Sequence, residues 1–204
     1  METLSLLKTM QAYATAHHIP IIEDESIQWF TQFLAQNKVK KILEIGGAIG
    51  YSTIYFQYLT QGQVVSVEKD STRYDQAQCF LRDFSAGSHI KFIHADAKDA
   101  AFLTVAAAHA PYDLLFIDAT KRNNQAFFEL FAPLVAHNGY IVTDNLDFRG
   151  LIHADSETIA QLPRRFRPMI RAVIDYRKWL SEHKEFTTEF IALGDGLAVS
   201  QKRG

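Results

Sequence analysis

Apolar residues recur along this chain with two different periods. Short apolar runs, Ile42–Ile45, Val64–Val67 and Leu114–Ile117, read as buried strands. His89–Ile93 and Tyr140–Thr143 read as two more, the last opened by Gly139. Between them the spacing turns helical, over 51–59, 72–84, about 100–109 and 124–134, where Pro133 ends the helix early. Asp70-Ser71 caps the second of these, and Ser85–Ser88 stops it. Two helices, 3–16 and 25–37, precede the first strand. In the latter Ile27, Phe30 and Leu34 share a face and Asp24 or Ser26 is placed to cap. Pro20 forces His18–Ile22 to be extended. The tail begins loop-like over 148–168 and continues as a helix over Met169–His183, with Ile170, Val173, Ile174 and Leu180 on one face. It ends in two runs around Gly194-Asp195-Gly196, a hairpin whose strands should run antiparallel to the rest. Strands alternating with helices predict an α/β fold with a parallel sheet, in one domain over 1–204: N-terminal helices 1–37, then a core from 38 to 204.

Composition narrows the class. The chain has 204 residues, 48% hydrophobic and 22% charged, enough for one ordinary core and too apolar for disorder. A formal net charge of -2 argues against wholesale nucleic-acid coating but not against a local basic patch. The one cysteine, Cys79, excludes an internal disulfide, and its neighbours Ala77 and Phe80 predict a packed helix position. His17-His18 read as surface or loop residues. The N-terminal stretch lacks the features of a secretory signal, and no run reaches the roughly 18 apolar residues of a membrane span. A cytoplasmic protein without membrane contact is the expectation.

The candidate chemistry gathers at strand ends. Gly46-Gly47-Ala48-Ile49-Gly50 follows the first strand and opens a helix, an arrangement that presents backbone N–H groups at the carboxyl edge of a sheet. Ala48 and Tyr51 spoil the dinucleotide fingerprint, and no Gly-Lys-Ser/Thr follows for a P-loop. Glu44 ahead of the glycines repels phosphate and suits a cationic, amino-bearing ligand such as S-adenosylmethionine. Glu68 ends the next strand at about the 20-residue spacing that lets a carboxylate take a ribose hydroxyl pair. Asp96, Asp118 and Asp144 also follow strands, so a parallel sheet projects all four acids from one edge; Asp96 also reads as a helix cap. Asp118, Asp144 and Asn145 offer hard oxygen ligands for Mg²⁺ or another divalent cation. Lys121, three residues after Asp118, faces the same cavity if a helical turn starts there. Beside a cation it is suited to act as general base.

The blocks LEIGGAIGYSTIYF, VVSVEKD, HADA, YDLLFIDATK and GYIVTDN resemble, in order and spacing, the metal-dependent class I S-adenosylmethionine O-methyltransferases of the catechol and caffeoyl-CoA type. The likeness runs over about residues 20–201. Within that family HHIPIIE, the FIDATK block, TDN-x-x-FRGL, a basic segment before a WL-ended helix, and GDGLAVSQK are most similar to bacterial members that methylate 5-hydroxyuridine in tRNA. The resemblance implies a Rossmann-like, seven-stranded, mostly parallel sheet with the last strand antiparallel, and a homodimer. It implies that Glu44, Gly46, Gly50 and Ser52 frame the methionine part of the cofactor. Ile22 would lie near the cofactor carboxylate, Glu68 on the ribose and Asp96-Ala97 beside the adenine. Asp118, Asp144 and Asn145 would bind Mg²⁺, with Lys121 as base. Two stretches depart from the family pattern: Gly47 stands where a threonine is usual, and Arg122-Asn123-Asn124 where a Gly-Gln-Tyr-like stretch is usual.

The metal site does not choose the acceptor, because a catechol and 5-hydroxyuridine both present two neighbouring oxygens. Arg149, Arg164, Arg165, Arg167, Arg171, Arg177 and Lys178 collect in the tail, as a phosphate backbone would need. The expected partner is therefore a tRNA anticodon loop. A small catechol-like acceptor is the alternative, and a non-catalytic binding module a third reading.

Overall fold

The computed structural model describes residues 2–147, 150–154 and 156–203. Two helices lead, α1 (Thr3–Ala16) and α2 (Asp24–Gln36). Neither Asp24 nor Ser26 caps α2: the cap position is Glu23, with no side-chain cap bond. Strands and helices then alternate: β1 (Lys41–Ile45), α3 (Tyr51–Thr60), β2 (Gln63–Glu68), α4 (Ser71–Asp83), β3 (Ile90–His94), α5 (Ala100–Ala108), β4 (Tyr112–Ile117), α6 (Asn124–Phe131) and β5 (Val135–Thr143). Asp70 caps α4 through the Arg73 N–H, as the sequence predicts. A 3-10 turn at Ala132–Leu134 takes over from α6 at Pro133. The tail is less loop-like than expected, with a 3-10 turn at Leu151–His153 and α7 (Ser156–Gln161) before α8 (Arg167–Ser181), β6 (Phe186–Ile191) and β7 (Leu197–Lys202).

Among the described residues seven strands join one sheet in the order β3-β2-β1-β4-β5-β7-β6. Strands β1 to β5 are mutually parallel. Only β7 is reversed: it pairs antiparallel with both β5 and β6, so β6 again runs with the parallel set, against the expectation that both hairpin strands would turn. Strand β5 starts at Val135 rather than after Gly139. The register slips between the Tyr112–Val135 and Leu114–Tyr140 pairs, and Asn138 there adopts a left-handed φ of 60°.

The central strands are apolar throughout because helices cover both faces. Ile42, Leu114, Phe116 and Val142 pack under α1, α2 and α3 with Leu6, Met10, Phe30 and Ile54. The alternate residues Leu43, Ile45, Leu115, Ile117 and Ile141 pack with Phe102, Phe128, Val173 and Tyr176 of α5, α6 and α8. On α4 the buried positions are Ala77 and Phe80, one helical step apart. Cys79 lies round the helix from Ala77 and is exposed, contrary to the packed position expected of it. Among the described residues no helix is long and apolar enough to cross a membrane.

Candidate active site

Parallel register sets the strand ends in a row. Ile45 pairs with Val67 and with Ile117, and Ile117 pairs with Thr143. The next residues therefore stand side by side: Gly46, Glu68, Asp118 and Asp144. Backbone bonds continue the ladder past the strands, from Gly46 N to Val67 O, Asp118 N to Ile45 O and Asp144 N to Ile117 O, each 3.0 Å. Strand order reverses between β1 and β4, where an open α/β sheet leaves a crevice for a ligand.

That crevice is a cavity of about 540 Å³ lined by Ile22, Gly46, Glu68, Asp96, Ala97, Asp118, Lys121, Asp144 and Asn145, all predicted from the sequence. Gly46 has φ +98°, and a Cβ on it would lie 2.3 Å from the Asp118 carbonyl oxygen. Glycine is therefore required for the turn to pass β4. Glu68 accepts from Ala48 N at 2.8 Å and Asp70 N at 2.7 Å, which fixes its carboxylate between the glycine turn and α4. Asp96 accepts from Lys98 N and pairs with Lys69. It does not cap α5, whose cap position is Asp99.

Glu44, Gly50 and Ser52 are not on the cavity wall. Glu44 alternates with Leu43 and so points under α3, where it is fully buried. There it accepts from Ser52 at 2.5 Å, from Ser66 at 2.6 Å and from Thr53. Burial pushes its carboxyl above the usual range despite those donors. In this position it ties the first turn of α3 to β1 and β2. Gly47 has a local reason too. A Cβ there would meet Ser66 Oγ at 2.3 Å and the Phe92 ring at 2.5 Å, so the side chain usual in the family has no room here.

Asp118 and Asp144 open onto the cavity but are otherwise shut in by protein. Burial pushes Asp118 up to about 6, with Lys121, Asn145 and Arg73 pulling it back. Burial and the neighbouring Asp118 charge push Asp144 up to about 7. Asn145, at a left-handed φ of 67°, donates through Nδ2 to Asp118 Oδ1 at 3.1 Å, which leaves its amide oxygen available as a ligand. Two crowded carboxylates that resist ionising together, with an amide oxygen beside them, fit a divalent cation. Among the described residues no group of three His, Cys, Asp or Glu forms a metal cluster; the set here is two acids and an amide. The β6–β7 turn braces this corner, with Gly196 O and Asp195 O accepting from Leu146 N and Asp147 N.

Lys121 lines the cavity, but the helical turn begins at Lys121 itself, as a 3-10 turn over Lys121–Asn123, and not at Asp118 as the spacing argument supposed. Sequence reasoning missed Arg73, Lys98, Asn123, Phe127 and Asp195, which also line the cavity. Arg73 lies in the first turn after Glu68 and was within reach of the strand-end argument. Asp195 arrives only through the fold of the tail. Of the basic tail, Arg164, Arg165, Arg171 and Lys178 are exposed. Arg177 instead stacks over Phe190 at 4.0 Å and donates to Leu146 O. Arg167 donates to Leu162 O. Arg149 lies outside the described residues.

A doubly wound sheet with an acid-lined crevice at its switch point, a glycine turn on one wall and a pair of carboxylates on the other, has the build of a class I methyltransferase. The chain belongs to the O-methyltransferase family, whose model matches residues 1–203. A catechol O-methyltransferase of Niastella koreensis is 31% identical over 148 residues, covering 70% of this chain and 67% of that one. A Staphylococcus aureus protein assigned as a caffeoyl-CoA O-methyltransferase superposes with a TM-score of 0.88 at 31% identity, over 96% of this chain and 91% of the other. An O-methyltransferase of Bacillus cereus in complex with SAH shares the fold, with a TM-score of 0.81 at 20% identity over 98% and 91% of the two chains.

Proposed function

We propose that this chain transfers a methyl group from S-adenosylmethionine to one of two neighbouring oxygens of a small catechol-like acceptor, at a site that holds a divalent cation. The observation that carries the reading is the shared cavity: the glycine turn and Glu68 on one side, Asp118, Asp144, Asn145 and Lys121 on the other. Glu68 keeps lone pairs for a ribose hydroxyl pair beyond its two backbone bonds. Gly46 lets the donor approach the backbone closely. Asp118, Asp144 and Asn145 would hold the cation, which when bound supplies Lewis-acid stabilisation of an acceptor oxyanion. Lys121, as the neutral amine, takes the acceptor's hydroxyl proton on Nζ, and the freed oxygen attacks the methyl carbon in line with sulfur, so that the C–S bond breaks and S-adenosylhomocysteine leaves. Most of the acceleration comes from holding the two reactants aligned. The catechol and caffeoyl-CoA relatives support a small acceptor.

A second acceptor, 5-hydroxyuridine in a tRNA anticodon loop, is favoured by one observation. Arg164, Arg165, Arg171 and Lys178 are exposed on α8 and just ahead of it, and α8 packs against the turn that carries Lys121. Basic residues beside the acceptor end suit a phosphate backbone. Labelled donor should be offered to catechols and to hydroxyuridine-containing tRNA in parallel. Transfer to catechols at far higher rates supports the first acceptor. Salt-sensitive transfer to tRNA, weakened by Arg164→Ala with Arg165→Ala, supports the second. Transfer to neither, with Mg²⁺ present, sinks both.

A further inference from the structure

Asn123, one of the residues that depart from the family pattern, has a partner on the opposite side of the cleft. Lys98 Nζ donates to Asn123 Oδ1 at 2.9 Å and stands 5.5 Å from the centre of the Phe127 ring. The backbone N–H of Lys98 donates to Asp96 Oδ1 at 3.0 Å, and the other Asp96 oxygen takes the Lys69 ammonium at 2.7 Å. Asn123 is held in turn by Thr120, through Nδ2 to Oγ1 and through N–H to the carbonyl, both 2.8 Å. These residues all line the cavity. The contacts therefore run without a break from the loop after β3, expected beside the adenine, to the turn after β4 that carries Lys121.

That turn is a single 3-10 turn of three residues. The turn runs straight into α6 and packs against α8, so what remains to be braced is its side facing the Asp96 loop. We propose that Lys98 is a positioning residue, which clamps the Lys121–Asn123 turn to the Asp96 loop and so fixes Lys121 relative to the donor. The clamp rests on the reading of Lys121 as the base, but its mechanical part does not. The bond is exposed, so it contributes little to overall stability, and its effect is on where the turn sits. Displacement of a reacting group by about 1 Å costs up to ~10²-fold in rate.

Three variants test it: Lys98→Met, Lys98→Arg and Asn123→Ala. In Lys98→Met, amide hydrogen exchange over residues 120–124 should speed several-fold in the absence of any ligand, and Lys98→Arg should restore it. Methyl transfer should lose about tenfold or more in kcat, with acceptor KM and SAH affinity held within about twofold, because only the base is displaced. Lys98→Met and Asn123→Ala together should cost no more than either alone. Unchanged exchange in Lys98→Met, fully additive losses, or SAH affinity falling in step with kcat would each overturn the clamp. If the wild-type chain transfers no methyl group, the functional reading fails, and the exchange measurement still decides the clamp.

Discussion

Gly46 is where the fold and the site meet, and its replacement by alanine can be worked through in numbers. Its φ of +98° is one that side-chain-bearing residues avoid, at a cost of about 1–2 kcal/mol. The added Cβ would lie 2.3 Å from Asp118 O and 2.9 Å from Asp118 C, where ordinary contact begins at 3.4 Å. Both atoms are backbone, so β1 and β4 must part by about 1 Å at their carboxyl ends, an overpacking worth a further ~1–3 kcal/mol. The sum, about 2–5 kcal/mol, is a large part of the roughly 5–15 kcal/mol that holds a domain together. Gly150 provides the control. Its φ is +77°, yet none of the described residues lies within 4 Å of the Cβ it would carry. Gly150→Ala should therefore cost only the dihedral strain, about 1–2 kcal/mol. Urea unfolding of both variants isolates the clash, and SAH titration reads its effect on the donor wall. Equal losses in the two variants, with SAH affinity unchanged in Gly46→Ala, would refute the claim that the turn is pressed against the Asp118 strand.

Three further outcomes follow from the site. Lys121→Ala should lower turnover by ~10²–10⁴-fold while SAH binding stays intact; a loss confined to SAH affinity would remove Lys121 from proton transfer. Glu44→Gln should cost about 1–3 kcal/mol in urea unfolding, because Thr53 and Ser66 both donate to one carboxylate oxygen and Ser52 to the other, and an amide nitrogen can accept from none of them. A neutral result would mean the knot under α3 holds nothing together. The acids also set the pH dependence of cation binding. Burial and their mutual repulsion hold the Asp118–Asp144 pair above the usual carboxylate range, so as pH falls toward neutrality and below a proton must be displaced before an ion can bind. Mg²⁺ affinity should therefore drop about tenfold or more from pH 8 to pH 6 in calorimetric titrations, and a flat profile would show that this pair is not held protonated ahead of the ion.

Much of this was legible because parallel sheets make a simple rule: whatever follows an apolar run emerges at one edge. That rule placed Glu68, Asp96, Asp118 and Asp144 together, and the limits of β1 were plain because Ile42–Ile45 is bounded by Lys41 and Gly46. Glu44 was singled out by its charge and not by that rule: it lies inside a strand, and strand alternation sends it under α3 rather than to the edge. The start of β5 was hidden because Gly139 reads as the strand's opening, whereas the chain absorbs it in an irregular stretch after Val135 and resumes pairing at Tyr140. Asp195 and the Lys98–Asn123 contact depend on which loops meet across the cleft, which no local period encodes.

The central claim is that donor methyl and divalent cation sit on one rim, set by consecutive strand ends. Mn²⁺ in place of Mg²⁺, with donor carrying a ¹³C methyl group, tests this directly through the relaxation of the methyl carbon. Strong enhancement in the wild-type protein, lost in Asp144→Asn with the donor still bound, is the expected result. A bound donor whose methyl carbon is untouched by bound Mn²⁺ would contradict the account.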